Sequence, residues 1–311
     1  MNAALHAEAA RTIALGSKSF AAAARLFRPA MRRDVMLLYA WCRHCDDVTD
    51  GQALGHGALA TATNQVLQQL RFKSHAAFTG QPGPELPYRA LAEVSRRHAL
   101  EGWMIEDHLQ GFDLDVSGWR PKTLQDSLCY SYHVAGVVGI MMARIMGVSD
   151  RSTLTRACDL GIAFQLTNIA RDVVEDANGG RCYLPGEWLQ QAGLVVADLS
   201  AASTHGRAFP LVERLIDVAE PYYASARIGI CALPPRAAWA IATALSVYRD
   251  IGRAIRRRGP DALARWTHTG RARKLGRILT ATAALWRRGQ APNPDRDSVL
   301  WTPPQLHRSS G

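Results

Sequence analysis

Apolar residues recur every three to four positions along almost the whole chain, and no useful stretch alternates apolar and polar residues at the two-residue period of a strand. That pattern predicts helix after helix. The breaks fall where Gly and Pro gather: at 79–87, around 115–121, from 177 to 186 and at 233–235. None is long or polar enough to be a domain linker, and no internal repeat is found. We therefore expect an all-α chain, with residues 1–290 forming one helical domain and 291–311, rich in Pro and polar residues, a flexible C-terminal tail.

Two helical faces carry chemistry. Projected at about 100° per residue, Met31, Val35, Leu38, Cys42, Cys45 and Thr49 share one apolar stripe. Tyr39, Arg43, Asp46 and Asp50 form a second stripe, about 80° from the first. Two metals compete for AWCRHCDDVTD (40–50): zinc on the cysteines, or a hard cation on the carboxylates. Structural zinc needs a second close ligand pair. His44 points away from the cysteine stripe and no other CxxC or HxxxH pair exists, so zinc is rejected. Asp46 and Asp50 are i,i+4 neighbours, and their charges repel unless a cation lies between them. Alone, such a pair is more often a solvated acidic turn.

A second DxxxD changes that balance. In GIAFQLTNIARDVVED (161–176), Gln165, Asn168, Asp172 and Asp176 share a face about 80° wide on a helix otherwise made of Ile162, Phe164, Leu166, Ile169 and Val173. Polar groups in line on such a helix are costly to bury without partners. Two of these helices facing each other would put four carboxylates across a cavity. Mg²⁺ suits that arrangement, because it accepts few protein carboxylates and completes its shell with water and phosphate oxygens. Arg43 and Arg171 stand beside the aspartates, able to fork onto diphosphate oxygens.

Composition narrows the class. Nearly half of the 311 residues (48%) are hydrophobic, enough for a substantial core, and six scattered cysteines suit reduced thiols in a cytoplasmic protein rather than a disulfide framework. The first twenty residues lack the charge-then-apolar order of a secretory leader. The most apolar runs, 134–148 and 228–247, are broken by Arg144 and by Pro234-Pro235-Arg236, so no membrane span is expected. The net charge of +10 gathers between Arg249 and Arg288. A solvated helix face, an anionic membrane, a phosphorylated ligand or nucleic acid would each account for it. No nucleic-acid-binding motif accompanies it, so nucleic acid is not expected.

Five segments, GSKSF (16–20), YAWCRHCDDVTD (39–50), YSYHVAGVVG (130–139), AFQLTNIARDVVED (163–176) and GRCYLP (180–185), together resemble the squalene/phytoene synthase family, most of all its bacterial phytoene-forming branch. The resemblance spans about residues 8–285. It implies a single-domain helical bundle of the isoprenoid synthase type with a central catalytic cavity, and a prenyltransferase joining two prenyl diphosphates head to head. An allylic cation would be attacked by the second molecule's double bond, giving a cyclopropylcarbinyl diphosphate. Renewed ionisation, rearrangement and proton loss would follow, without NADPH. For the phytoene branch the substrate is geranylgeranyl diphosphate and the product 15-cis-phytoene, a carotenoid precursor. A farnesyl-using dehydrosqualene or squalene synthase is the alternative, and a basic helical protein that binds membrane or nucleic acid is the non-enzymatic one.

The same resemblance implies roles by position. Asp46, Asp50, Asp172 and Asp176 would hold Mg²⁺, with Mn²⁺ as the alternative ion and Asp47 and Glu175 as weaker ligands. Arg43 and Tyr130 join them as catalytic candidates. Ser17, Lys18, Ser19, Tyr39, Arg43, Gln165, Asn168, Arg171, Tyr248 and Arg249 match substrate-holding positions, and Tyr130, Val134, Val137 and Met141 form a stripe expected to line the prenyl tunnel. Ser17 and Ser19 read equally as helix caps. Gly136, Gly139, Ala143 and Gly147 are expected to serve close helix packing, the Glu106-Asp107-His108 triplet to be surface, and Asp113 and Asp115 to follow a helix without a role. The arginine-rich 253–277 segment is expected to touch an anionic membrane from the cytoplasmic side, and downstream carotenoid enzymes are candidate partners.

Overall fold

The computed structural model describes residues 24–50, 63–264 and 294–306; among these every regular element is helical and none is a strand. Helix α1 (Pro29–Asp50) opens on a proline, whose fixed φ suits a first turn, and buries Val35, Leu37, Leu38, Trp41 and Cys45. Its Trp41 indole donates to Ser74 Oγ (3.1 Å) on α2 (Asn64–Phe78), tying the two together. Helices α3 (Leu86–His98) and α4 (Gly102–Val116) complete this side.

Helix α5 (Leu124–Ser131) starts with a reciprocal Thr123–Asp126 capping box and runs through one π-helical turn (Tyr132–Gly136) into α6 (Val137–Ile145). This continuous stretch is long and apolar enough to cross a membrane by length and composition, but it lies packed between α4 and the longest helix. That helix, α7 (Arg151–Asn178), is capped by Asp150, whose carboxylate accepts from Thr153 N–H. Short α8 (Gly186–Gln191) follows, and α9 (His205–Gly229) runs antiparallel along α7. Then come α10 (Pro235–Arg258) and the single turn α11 (Asp261–Ala264).

The central helices touch backbone to backbone. A Cβ on Gly161 would stand 2.2 Å from Ala135 O, and one on Gly139 2.3 Å from Ala157 O. The small-residue stripe therefore packs helices, as expected for Gly136 and Gly139. Gly147 departs from it: it sits at φ +88° in the turn after α6, with open space around it.

Two further expectations are corrected. Residues 294–306 of the expected flexible tail dock onto α7 and α9, because Arg296 reaches the fully buried Asp159 and Trp301 N–H donates to Tyr222 Oη (3.0 Å). Asp107 and His108 are buried rather than surface residues. Asp107 accepts from Tyr132 Oη, and the Nδ1–H groups of His133 and His108 donate to the carbonyls of Asp107 (2.8 Å) and His133 (3.1 Å). Burial lowers the His108 pKa to about 4, so it stays neutral inside the protein.

Candidate active site

Two cavities meet along α7. The larger, about 350 Å³, is an apolar tunnel walled by Val35, Val134, Val138, Met142, Ala157 and Phe164 among others. The smaller, about 250 Å³, is polar and holds Asp46, Asp115, Asp172, Asp176, Arg181 and the tyrosines Tyr130 and Tyr183. Asp46, Val134, Gln165 and Asn168 line both, so the carboxylates stand at the mouth of the tunnel. α1 and α7 both deliver aspartates from their C-terminal turns, and Asp46, Asp172 and Asp176 line one cavity.

The electrostatics of the polar end favour a cation. Burial first, and the neighbouring charge of Asp172 second, push the Asp176 carboxyl up to about 7. Asn168 donates weakly from Nδ2 to Gln165 Oε1 (3.4 Å), while its own Oδ1 is buried without a hydrogen-bond partner. A crowded carboxylate and an orphaned carbonyl oxygen at one mouth are a hard-cation donor set. Among the described residues no three His, Cys, Asp or Glu side chains stand close enough to cage an ion by themselves.

Contrary to the expectation that it follows a helix without a role, Asp115 lies inside α4 and joins the site. Tyr130 Oη donates to its two oxygens (3.0 and 3.2 Å) and Tyr183 Oη donates to Oδ1 (2.8 Å). The two rings stack at 4.6 Å, with Trp119 beyond Tyr130 at 6.0 Å. Burial raises the Tyr130 hydroxyl well above its ordinary pKa, with Asp115 adding to the shift, so it remains a donor. A helix read through to Val116 would have shown an acid continuing the Gly111, Phe112 face. Arg181, which the sequence pattern does not single out, also lines the polar cavity, and its charge acts on Asp176.

Other residues sit where they were not expected. Val137 and Met141 are fully buried in the core, while Val138 and Met142 line the tunnel after Val134. The π turn inserts one residue into the helical repeat, which shifts the inward face by one position. Arg249 lines neither cavity and pairs with Glu220 (2.5 Å), whereas Tyr248 lines the tunnel and stacks on Phe164 at 4.1 Å. Arg43 forks onto Asp47 (2.9 and 2.6 Å), which occupies that carboxylate, and Arg171 pairs with Asp172 (2.7 and 2.5 Å). Glu175 is exposed and Tyr39 lines the tunnel, its pKa raised to about 12 by burial. Ser17, Lys18 and Ser19 lie outside the described residues, as does the side chain of Asp50.

Comparison with known proteins places this geometry. A family model described as squalene/phytoene synthase matches residues 13–276. A phytoene synthase of Pseudescherichia vulneris is 49% identical over 95% of this chain and 97% of its own. A 15-cis-phytoene synthase of Pantoea ananas is 46% identical over 97% and 99%. Among solved structures, a dehydrosqualene synthase in complex with ligand superposes with a TM-score of 0.80 at 26% identity, covering 91% of this chain and 96% of that one.

Proposed function

The chain belongs to the squalene/phytoene synthase family, and from that premise we propose that it joins two geranylgeranyl diphosphates head to head to give 15-cis-phytoene, releasing diphosphate. The observation that carries the reading is the carboxylate-lined cavity opening directly into a long apolar tunnel. A substrate with a diphosphate head and a hydrocarbon tail matches both halves.

Asp46, Asp50, Asp172 and Asp176, with the orphaned Asn168 Oδ1, would hold the divalent ions, and Mg²⁺ best suits their all-oxygen donors. When bound, such ions neutralise the charge that builds on a departing diphosphate. The chain's own residues supply the rest. Arg181 adds fixed positive charge beside Asp176, and the hydroxyls of Tyr130 and Tyr183, pinned on Asp115, hold the wall facing the reacting carbons. The walls of Val134, Val138, Phe164 and Tyr248 exclude water, which would otherwise quench an allylic cation to an alcohol, and their aromatic faces favour the cation. The final step loses a proton rather than gaining a hydride, so no NADPH is required.

Tail length supports a C20 substrate. The lining of α7 from Asn168 to Thr153 extends about 22 Å at 1.5 Å per residue. Four isoprene units, with four skeletal bonds each at about 1.2 Å per bond, reach about 19 Å, against about 14 Å for three. A farnesyl chain would leave the last stretch empty, which sets the farnesyl-using alternative behind.

Peripheral contact with an anionic membrane on the cytoplasmic side stays a proposal from the basic sequence: of the 253–277 segment, 265–277 lie outside the described residues, and in the described part Arg257 is exposed while Arg253 and Arg256 pair with Asp250 and Asp217. Cosedimentation with anionic vesicles at physiological salt tests it, and no pelleting would remove it. The reaction itself is tested with purified protein and geranylgeranyl diphosphate. A C40 hydrocarbon is expected with Mg²⁺ and none in EDTA, with Mn²⁺ as comparison. Equal product in EDTA would overturn the metal assignment.

A further inference from the structure

Behind the far end of the tunnel lies a buried polar knot that the condensation does not use. Asp159, fully buried on α7, accepts Arg296 Nε (2.8 Å), Arg296 Nη2 (2.7 Å) and Ser225 Oγ (2.5 Å). Arg296 also donates Nη1 to Thr302 Oγ1 (2.7 Å) and Nη2 to Trp301 O (2.8 Å), which folds the 294–306 strap around its guanidinium. One turn earlier on α7, Arg156 is only 3% exposed. Its Nη1 donates to Ser225 Oγ (3.2 Å) and its Nη2 to Pro294 O (2.5 Å), at the start of the strap.

Arg156 is also part of the tunnel wall, beside Thr153, Ala157 and Gly229. A Cβ on Gly229 would stand 2.7 Å from Arg156 Cβ, so the stem has no room to move toward α9. An arginine at the bottom of a hydrocarbon tunnel stays put only while its head is satisfied elsewhere. Here Ser225 and the strap take its two terminal nitrogens, while Nε is buried without a partner, so the strap carbonyl of Pro294 is one of the few contacts that hold the head in place.

We infer that the 294–306 strap sets the usable depth of the prenyl tunnel by holding the Arg156 side chain in the wall near its far end, which makes Arg156 a specificity-determining residue for chain length and Arg296 its positioning residue. This rests on the proposed reading of the tunnel as a prenyl site. Arg156 lies about 18 Å along α7 from Asn168, beside the last stretch that a C20 tail of about 19 Å reaches, with Thr153 lining the tunnel one turn beyond.

The test is a competition among C15, C20 and C25 prenyl diphosphates, read as ratios of kcat/KM. Arg156→Ala is expected to raise the C25:C20 ratio at least about tenfold, the scale on which a pocket discriminates by small apolar groups. The double variant Asp159→Asn with Arg296→Met removes both charges of the pair, leaving neither buried alone. It should move the ratio the same way, and Arg296→Lys should return it toward wild type. Should Arg156→Ala fail to fold, Ala157→Leu, which fills the tunnel one residue along, must lower C20 use relative to C15. Ratios within twofold of wild type in folded variants overturn the inference alone. A wild type silent on every chain length overturns the parent reading, and the inference with it.

Discussion

Asp176 sits where burial and the charge of Asp172 act together, and its carboxyl is pushed up to about 7. Because the folded protein holds this proton more tightly than the unfolded chain, it binds more protons than the unfolded chain between about pH 4 and 7. Stability of the metal-free protein should therefore fall as pH rises through that window and level off above it. A thermal-melt series in EDTA checks this, and the fall should be absent in Asp176→Asn. Metal binding needs the ionised carboxylate, so affinity for Mg²⁺ should drop about tenfold per unit as pH falls below 7, measured by calorimetry. Asp115 yields a second expectation. Asp115→Asn weakens the acceptor shared by Tyr130 and Tyr183, and kcat should fall about tenfold or more while KM changes little. At this scale the sequence displayed Asp46, Asp172 and Asp176 because repeated acids at helical spacing stand out. It hid Asp115, where a Gly- and Pro-bearing stretch masked the last turn of α4, and it could not show that Arg249 pairs with Glu220 on the preceding helix.

The π turn decides which side chains of α6 line the tunnel. A regular α-helix would keep Tyr130, Val134 and Val137 in line, and one extra residue in the turn hands the inward position to Val138. Nothing in the local pattern announces such a turn, since Val137 and Val138 are equally apolar. The two positions should therefore separate in experiment. Val138→Phe is expected to cut hydrocarbon formation with little change in denaturation midpoint. Val137→Ala should cost about 2 kcal/mol of stability and keep the product. Gly161 tests the contact between α7 and the π turn. Its alanine variant has to push a methyl group against the Ala135 carbonyl, and about 3 kcal/mol of destabilisation is expected in urea unfolding. The helices themselves, and their approximate breaks, were legible because their apolar periodicity is sustained over many turns.

Over the whole molecule, α7 is the frame: its C-terminal half carries the carboxylate face, its middle the tunnel wall and its first turns the knot closed by the strap. The all-helical class followed from periodicity alone, and the family from five ordered segments. Docking of 294–306 could not be read, because Pro-rich polar chain has the composition of a loose tail. Only the buried Asp159, far away in sequence, gives Arg296 a place to go. The central claim is that this frame presents two C20 diphosphates to one carboxylate mouth. The most direct measurement supplies geranylgeranyl and farnesyl diphosphates separately to the purified protein with Mg²⁺, beside Asp46→Asn and Asp172→Asn. A C40 hydrocarbon from the first substrate, reduced at least about a hundredfold in both variants, is the expected result. A C30 product from farnesyl diphosphate alone, or full activity in either variant, would contradict it.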